Sequence, residues 1–438
     1  MPIKKLKYVD PLKLYSAIRE LSYPFILRSA EKDSKKARFT FISAEPEFIV
    51  KISGKGTYLD GERIKEETNP FKALKGLMKD RVEGERFLAG FVGYIAYDSV
   101  HNYIEGSIEE PSIFAYYPWT FVYDHLNGDF YFFYLRQPPF SPEEIVRKAE
   151  SERISLGDGG SKIIRTDADK EEFMKIVERG KDYIYSGDVF QVVLSRQYEV
   201  KTDLDPFDIY ARLTEINPSP YTFLLEFEKT LVGASPETMG SVEGRIFRIN
   251  PIAGTAPRGR TPEEDREIER KLLQDEKERA EHVMLVDLAR NDVRIVSKPT
   301  TVRLVRFFDV IKYSHVQHIE SEVVGELAED KDMFDAIEAS FPAGTLTGAP
   351  KIRAMEIIDE LERSRRKVYG GAVGYFSATG YADFAIAIRM AEIERRAYIR
   401  AGAGIVADSV PEKEFYETEN KMKAVLKAFG VSGYDTDS

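Results

Sequence analysis

The segment Gln274–Asp292, QDEKERAEHVMLVDLARND, contains no glycine or proline and passes from a charged half into an apolar half. Its residues are fair helix formers, with Asp275 early and Arg290 late, an order that suits the helix macrodipole. The pattern therefore predicts one long helix. We expect its second half to be buried, because apolar residues cover more than half of the circumference there. The apolar residues are Ala280, Val283, Met284, Val286, Leu288 and Ala289.

Two acidic residues, Glu278 and Glu281, project from one face of this predicted helix because they are three residues apart. For one such pair alone, ion pairing with a neighbouring cation on a solvated face is the commoner explanation. A second pair, Glu414 and Glu417, begins another predicted helix whose later turns are apolar. Two facing acidic helix starts suit Mg²⁺, which prefers oxygen ligands and usually keeps water. The sequence therefore predicts a Mg²⁺ site on these four glutamates.

Composition limits the possible functions. At 438 residues the chain exceeds the size at which one core keeps growing, so we expect two domains or one large two-layer unit. A net charge of −11 argues against nucleic acid or an anionic membrane as partner, because either favours a basic surface. The absence of cysteine excludes disulfides, zinc–thiolate sites and cysteine nucleophiles. No window resembles a signal sequence or a membrane span, so we expect a cytoplasmic protein.

Short apolar and aromatic runs in the first part of the chain predict antiparallel strands over 39–43, 48–53 and 87–98. Asn127–Gly128 lies between two apolar runs and predicts a hairpin. Proline, glycine and charge then become frequent, which indicates a boundary. We divide the chain into an N-terminal region 1–140, a linker 141–169 and a C-terminal region 170–430.

Polar and glycine-rich turns at strand ends indicate where a site would lie. Two of them, at 254–255 and 344–345, lack the spacing of a P-loop. Arg389 interrupts an apolar strand and needs a carboxylate, with equal odds of its coming from the protein or from a ligand. The glycines of segment 402–404 let backbone N–H groups approach an anion. These features together predict a small carboxylated substrate beside Mg²⁺.

Eight motifs follow one another along the chain: PIAGT (251–255), DEKERAEHVMLVDLARND (275–292), YSHVQH (313–318), GTLTGAPK (344–351), YGGAVGYF (369–376), AIRM (387–390), AGAGIVADSVP (401–411) and ETENKMKA (417–424). Together they resemble the chorismate-utilising enzymes, and most closely the anthranilate-forming branch of that family. The specific match covers about 165–428, and residues 10–135 resemble the N-terminal region of that branch more loosely. The resemblance implies an α/β fold of the α+β type, with two domains and large antiparallel sheets flanked by helices around a cleft for chorismate and Mg²⁺.

The resemblance also implies roles for individual residues. Glu281 and Glu417 would bind Mg²⁺ directly, with Glu278 and Glu414 close by through water. The residues that would hold the enolpyruvyl carboxylate of chorismate are Tyr369, Arg389, Gly402, Ala403 and Gly404. The residues that would line the ring side are Gly254, Thr255, Thr345 and Lys421.

Two further residues would carry proton transfers. Glu237 resembles the acid that protonates the departing ring hydroxyl, a task that needs a carboxyl kept protonated by its site. His318 resembles the histidine needed for the later loss of pyruvate. A buried core imidazole is the alternative for His318, and the surrounding motif makes it the less favoured one.

Two positions separate the reactions within this family. Isochorismate and salicylate synthases carry a lysine where this chain has Gln191, and a glutamine cannot deprotonate water. Aminodeoxychorismate synthases typically carry a lysine nucleophile where this chain has Ala253. The resemblance therefore implies direct amination of chorismate by ammonia and elimination of pyruvate, giving anthranilate.

Regulation and a partner are also implied by the resemblance. L-tryptophan would bind as feedback inhibitor at Ser29, Pro218 and Tyr221, although Arg28 replaces an acidic residue there and Thr222 replaces a methionine. Ammonia would come from a glutaminase small subunit, because such glutaminases use a cysteine that this chain lacks. Two other classes of protein, a binding module and an acid hydrolase, are the alternatives. A binding module that had lost catalysis would lack Glu237 or His318, and glycosidase carboxylates would face each other across a bond.

Overall fold

The computed structural model describes residues 3–29, 38–84, 86–312 and 316–433. The α-helices are α1 (Pro11–Ile18), α2 (Pro70–Lys75), α3 (Pro142–Ser151), α4 (Lys170–Tyr185), α5 (Pro206–Ile216), α6 (Pro262–Gln274), α7 (Glu276–Val296), α8 (Met333–Ser340), α9 (Lys351–Leu361) and α10 (Pro411–Ala428). Short 3₁₀ helices span Tyr97–Asn102 and Gly344–Leu346. Among the helices described, none is long and apolar enough to cross a membrane.

The strands before residue 140 are β1 (Ile3–Lys5), β2 (Phe25–Arg28), β3 (Phe39–Ser43), β4 (Phe48–Ser53), β5 (Gly56–Leu59), β6 (Glu62–Lys65), β7 (Gly90–Ile95), β8 (Ser112–Tyr117), β9 (Trp119–Asp124) and β10 (Asp129–Tyr134). The later strands are β11 (Ser161–Thr166), β12 (Gln191–Thr202), β13 (Tyr221–Glu226), β14 (Thr230–Ser235), β15 (Thr238–Glu243), β16 (Ile246–Ile249), β17 (Ile252–Pro257), β18 (Arg303–Lys312), β19 (Val316–Glu326), β20 (Gly348–Ala349), β21 (Ala372–Ser377), β22 (Ala382–Ile386), β23 (Met390–Ile393) and β24 (Ala397–Ile405). The expected hairpin forms, because β9 and β10 pair antiparallel across the turn that contains Asn127–Gly128.

Two large sheets form the body of the molecule. The first has the order β1-β10-β9-β3-β2-β13-β14-β23-β24-β12-β11, with β20 added beside β12. The second has the order β17-β19-β16-β15-β22-β21-β7-β8-β4-β5-β6, with β18 added beside β19. Strands from both ends of the chain meet within each sheet, at β2–β13 and at β7–β21. The division into regions 1–140, 141–169 and 170–430 stays a prediction about chain segments, since each sheet draws on both ends.

The main hydrophobic core lies between the two sheets. Phe41 of the first sheet approaches Phe87 and Tyr375, with ring centroids 5.5 and 5.6 Å apart. A second core covers the other face of the first sheet, where residues of α1, α3, α5 and α10 are buried. The expected fold of large antiparallel sheets flanked by helices is confirmed.

Helix α7 follows the prediction in extent and departs from it in burial. Asp275 ends α6 and caps α7, and its side chain accepts a hydrogen bond from the Glu278 backbone N at 3.0 Å. Leu285 and Val286 are buried, but Ala280 is exposed and Val283 is 50 % exposed. The expectation that all the apolar residues are buried is wrong for these two. One side of α7 packs on β17, β19 and α8, so its opposite stripe stays in solvent.

The chain crosses between the two sheets at two neighbouring places. Strand β14 continues into β15 through Glu237, and β22 continues into β23 through Arg389. Because β14 pairs with β23 and β15 pairs with β22, the crossovers lie side by side. The backbone N–H of Ala234 donates to the Arg389 carbonyl at 3.1 Å, and that of Ile386 donates to the Glu237 carbonyl at 3.0 Å. Arg389 has φ 51°, a left-handed conformation that costs a non-glycine residue about 1 to 2 kcal/mol. Its place between two sheets maintains this strain.

Candidate active site

Glu237 is the predicted acid, and its crossover places it among protein groups rather than in solvent. Burial raises the pKa of its carboxyl to about 7, and the Thr345 hydroxyl and Lys421 ammonium offset part of that rise. Thr345 and Gly344 line a small cavity together with Glu237. A carboxyl with this pKa stays protonated to a higher pH than an ordinary glutamate does. A general acid that works near neutral pH needs this property.

His318 lies on β19 opposite the backbone of Thr255. Its Nδ1 is 2.9 Å from the Gly254 carbonyl oxygen, which can only accept a hydrogen bond. Nδ1 therefore carries the proton, and Nε2 of the neutral ring is basic. Burial lowers the pKa of His318, which favours the neutral form. This arrangement suits a base rather than an inert core imidazole.

Glu320 is a buried carboxylate that the sequence reading missed. It lies two residues after His318 on β19 and is 1 % exposed, so both side chains point to one face of the strand. Asn250 Nδ2 donates to its Oε1 at 3.2 Å, and Arg306 contacts the same oxygen at 3.0 Å. The polar residues at 318, 320 and 322, which share one face of the predicted strand, were the available signal.

Arg389 is partly buried and contacts a backbone carbonyl. Its Nη1 donates to the Lys421 carbonyl at 2.7 Å. Within residues 3–29, 38–84, 86–312 and 316–433, no carboxylate lies within salt-bridge distance of it. Burial lowers the pKa of Arg389, yet a guanidinium stays charged in a protein. A direct ion pair with a described protein carboxylate is therefore absent, and a ligand carboxylate as the counter-ion stays a prediction.

Along residues 402–404, one edge of β24 has no strand partner among the described residues. Strand β23 pairs with β24 only from Ala397 to Ile399, so segment 402–404 has a strand partner on one side, β12. On the other side, Lys421 Nζ donates to the Gly402 carbonyl at 2.9 Å. An open edge of glycine backbone can accept a substrate at close range. The contact of Gly402, Ala403 and Gly404 with a substrate carboxylate stays a prediction.

Gln191 lies against this edge. A Cβ atom at Gly404 would come within 2.5 Å of Gln191 Nε2, so the glycine makes room for that side chain. The same Nε2 is 3.4 Å from Glu281 Oε1. Gln191 therefore connects the glycine edge of β24 with the acidic start of α7.

The acidic start of α10 lies near that of α7, since Glu417 is close enough to repel the carboxylates of Glu278 and Glu281. Burial raises the pKa of Glu278, Glu281 and Glu414, and repulsion from neighbouring carboxylates adds to each rise. For Glu281 and Glu414 the repelling group is Glu417, which also pairs with Lys421 at 2.6 Å. Carboxylates that repel one another in a half-buried place are stabilised by a cation.

This donor set fits Mg²⁺ with substrate and water as additional ligands. Over the described part of the chain, no three histidine or acidic side chains converge closely enough to form a metal cage from protein alone. The expected site needs only Glu281 and Glu417 as direct ligands, because Mg²⁺ usually keeps several waters and takes a substrate oxygen.

Tyr369, Gly254 and Ala253 are further residues that the sequence analysis named and the structure describes. Burial raises the pKa of Tyr369 to about 12, so its hydroxyl stays a donor. Gly254 has φ 65°, and a Cβ there would lie 3.2 Å from Glu278 Oε2. The side chain of Thr255, like residues 313–315 of the YSHVQH motif, lies outside the described part of the structure. Ala253 is a buried residue of β17.

A separate cavity lies between the two sheets at the predicted tryptophan site. Arg28, Ser29 and Tyr221 line it, and Pro220 lines it rather than the expected Pro218. The Tyr221 hydroxyl donates to Asp383 Oδ1 at 2.9 Å and lies 2.8 Å from Thr238 Oγ1. Thr238 directly follows Glu237, so this cavity and the predicted acid share a strand start.

The lining of this cavity contains a carboxylate that the sequence reading missed. Asp383 belongs to the lining, and Arg86 approaches it at 4.0 Å. Ser29 Oγ is buried and has no hydrogen-bond partner among the described residues. The cavity thus offers a carboxylate, cations and an unused hydroxyl, which suits a small zwitterion.

The structure thus has two large antiparallel sheets, with Glu237 and Arg389 at the crossovers between them, an arrangement that suits an enzyme with a carboxylated substrate. The model of the family described as chorismate binding enzyme matches residues 23–427, and the chain belongs to that family. The resemblance found in the motifs is confirmed at this level.

Individual relatives agree with the family match. Anthranilate synthase component 1 of Thermococcus kodakarensis is 76 % identical over 432 residues, covering 98 % of this chain and 100 % of the relative. The protein of that name from Archaeoglobus fulgidus is 54 % identical over 436 residues, covering 98 % and 100 %. The crystal structure of anthranilate synthase component I from Streptococcus pneumoniae superposes with a TM-score of 0.78 at 36 % identity, covering 90 % of this chain and 93 % of that one.

Proposed function

We propose that this chain converts chorismate and ammonia into anthranilate, water and pyruvate in the presence of Mg²⁺. The observation that carries the proposal is the pair of crossovers. One presents Glu237, whose pKa is raised to about 7 by burial, and the other presents Arg389, which has no carboxylate partner in the described chain. An acid for a leaving hydroxyl thus lies beside an anchor for a substrate carboxylate.

Binding would use both ends of chorismate. Arg389, the Tyr369 hydroxyl and the open edge at 402–404 would hold the enolpyruvyl carboxylate, since each offers a donor. Glu281 and Glu417, with Glu278 and Glu414 through water, would hold Mg²⁺, which neutralises the ring carboxylate when bound. Gly254, Thr255, Thr345 and Lys421 would then border the ring.

In the first step, ammonia adds to the ring while Glu237 gives its proton to the departing hydroxyl, which leaves as water, and the new ammonium group loses its extra proton to solvent. In the second step, Nε2 of His318 removes a ring proton as the C–O bond to the enolpyruvyl group breaks. The ring becomes aromatic, and the released enolpyruvate takes up a proton to become pyruvate. Glu237 and His318 thus perform two opposite proton transfers, for which their protonation states are suited.

The choice of ammonia as nucleophile rests on two neutral side chains. Gln191 contacts Glu281, and its amide has no basic atom to activate water. Ala253 is a buried methyl on β17 and cannot attack the ring. Both positions therefore favour amination by free ammonia over hydration or attack by a lysine.

A partner and an inhibitor belong to the same proposal. The relatives are called component 1, which supports a second component, and this chain has no cysteine for glutamine hydrolysis. We assign the supply of ammonia to a separate glutaminase subunit and the location to the cytoplasm. L-tryptophan would fill the cavity at Ser29 and Tyr221, and the Tyr221–Thr238 contact gives it a route to Glu237.

The direct test is an assay of the purified chain with chorismate and Mg²⁺. With ammonium salts at raised pH, blue anthranilate fluorescence should appear, and with glutamine alone it should not. Addition of the small subunit should restore the use of glutamine. Accumulation of isochorismate or salicylate instead of anthranilate, or turnover of glutamine by the chain alone, would contradict the proposal.

A further inference from the structure

Arg366 lies in the segment between α9 and β21 and is a buried cation that no proposed step uses. Its side chain is 1 % exposed. The guanidinium donates to the Leu346 carbonyl at 2.6 Å and to the Val193 carbonyl at 2.8 Å. It also donates to both carboxylate oxygens of Glu362, the shortest of these contacts being 2.7 Å. All three of its nitrogen atoms are therefore engaged.

The two carbonyl groups belong to segments that carry predicted substrate contacts. Leu346 directly follows Thr345 in the 3₁₀ helix, and Val193 pairs with Gly404 in the neighbouring strand. The guanidinium also lies over the Tyr369 ring, 5.8 Å from its centroid. Arg366 thus contacts the Leu346 and Val193 carbonyls, which are distant from each other in sequence, and lies over the nearby Tyr369 ring.

We propose that Arg366 is a positioning residue. It holds the 3₁₀ helix Gly344–Leu346 (the Thr345 turn), the β12–β24 edge and Tyr369 in the geometry that binds chorismate. This inference rests on the proposed function, because those three segments are assigned to substrate binding there. Arg366 itself reaches the substrate only through these segments.

Only an arginine can meet all of these acceptors at once. The planar guanidinium presents its donors in a fixed fork, whereas a lysine ammonium is a compact charge with three donors. Losing the fork would leave buried carbonyl groups unsatisfied, so at least one segment would shift. Gly370 has φ 78°, and a Cβ there would lie 3.4 Å from Arg366 Nη1, so the adjoining turn is built closely around this group.

Arg400 provides a matched comparison within the same cluster. Its side chain is 2 % exposed, and it pairs with the same Glu362 at 3.3 Å. Its other hydrogen bonds go to Ser195, Asp167, Gln197, Ser364 and the Arg365 carbonyl. Both arginines are thus buried cations with a shared carboxylate. Arg366 adds bonds to the Thr345 turn and to the carbonyl of Val193.

The test compares Arg366→Gln, Arg366→Lys and Arg400→Gln with the unaltered chain. Chorismate affinity is measured by calorimetry with Mg²⁺ in ammonium-free buffer, so that no amination occurs. KM and kcat are then measured with ammonium, and thermal midpoints record the structural cost.

Arg366→Gln should weaken chorismate binding and raise KM by about tenfold or more, with a smaller change in kcat, because misplaced contacts cost binding first. Arg366→Lys should raise KM by an intermediate amount. If the glutamine variant does not fold, the lysine variant tests the role of Arg366 instead. Arg400→Gln should lower the thermal midpoint to a similar degree and raise KM less than Arg366→Gln does, because Arg400 has no bond to the Leu346 or Val193 carbonyl.

Equal changes in KM for Arg366→Gln and Arg400→Gln would overturn the inference, as would unchanged chorismate affinity in both Arg366 variants. A different result would contradict the proposed function. If the unaltered chain binds chorismate and makes no anthranilate, the reaction is wrong, while the affinity comparison still decides the role of Arg366.

Discussion

Glu237 and Arg389 occupy neighbouring crossovers between the two sheets, and each backbone carbonyl accepts a hydrogen bond from the strand next to the other residue. Their relative position is therefore set by paired strands rather than by a free loop. Sites built on rigid elements hold catalytic geometry more accurately than sites on loops. The fold thus fixes the distance between the proposed acid and the proposed carboxylate anchor.

Replacing Glu237 by glutamine should abolish turnover and stabilise the protein. The usual glutamate pKa of 4.5 rises to about 7 in the folded chain, so the folded state keeps a proton that the unfolded state loses. Stability is therefore lost as pH rises from about 4.5 to about 7 and is constant above. Glu237→Gln removes that loss, worth at most about 3 kcal/mol.

Thermal midpoints at pH 4.5 and pH 8 test this expectation, and the gain should appear only at pH 8. In the unaltered chain, kcat should fall above about pH 7 when the concentration of unprotonated ammonia is held fixed. A variant that keeps substantial turnover would remove Glu237 from the role of acid.

Removal of Mg²⁺ should abolish anthranilate formation, and Glu281→Gln should reproduce most of that loss. Without a cation, the ring carboxylate of chorismate would meet the half-buried acidic starts of α7 and α10. We expect a decrease of about 100-fold or more in kcat/KM for the variant. Glu276→Gln is the control, because Glu276 is exposed on the first turn of α7. Full activity in excess chelator would rule out the metal site.

Substitution of Gln191 by lysine should divert part of the chorismate from amination to the addition of water. Gln191 lies between Glu281 and Gly404, where a partly desolvated lysine can act as a base towards water. Chromatography should then detect isochorismate or salicylate beside anthranilate. Gln191→Met, which has similar length and no amine, should give neither product. Unaltered amination with no hydroxylated product would show that this position does not select the nucleophile.

The variant Arg28→Glu should bind L-tryptophan more tightly. Arg28 lines the cavity between the sheets, where a glutamate would attract the ligand ammonium and a cation repels it. We expect the inhibition constant to fall about fivefold or more. Arg28→Gln, which removes the cation without adding an anion, should show a smaller decrease. An unchanged or larger inhibition constant in Arg28→Glu would contradict this placement of the ligand.

Local patterns were sufficient for several elements of the fold. Helix α7 begins one residue after Asp275, and the hairpin at Asn127–Gly128 forms as expected. These features depend on capping, periodicity and turn chemistry among near neighbours. The motif resemblance supplied the fold class, which the two sheets and the family match confirm.

The pairing of distant strands could not be read from the sequence in the same way. Leu27 pairs with Phe223 and Gly93 pairs with Gly374, and a local pattern does not specify a partner so far along the chain. The exposure of Val283 has a similar origin, because the face that α7 buries depends on what packs against it.

The members of the site that the sequence analysis did not single out are three charged residues. Glu320, Asp383 and Arg366 each have an ordinary structural interpretation in sequence, as buried partners of another charge. Only their neighbours in space, such as Tyr221 for Asp383 and Leu346 for Arg366, connect them with the proposed sites.

The most direct measurement uses ammonium labelled with ¹⁵N. The purified chain is incubated with chorismate, Mg²⁺ and the labelled salt at raised pH, and the products are analysed by mass spectrometry. Ammonia as the nucleophile predicts anthranilate that carries one ¹⁵N atom, together with an equal amount of pyruvate. Consumption of chorismate without labelled anthranilate, or with an oxygen in place of the nitrogen, would contradict the proposed reaction.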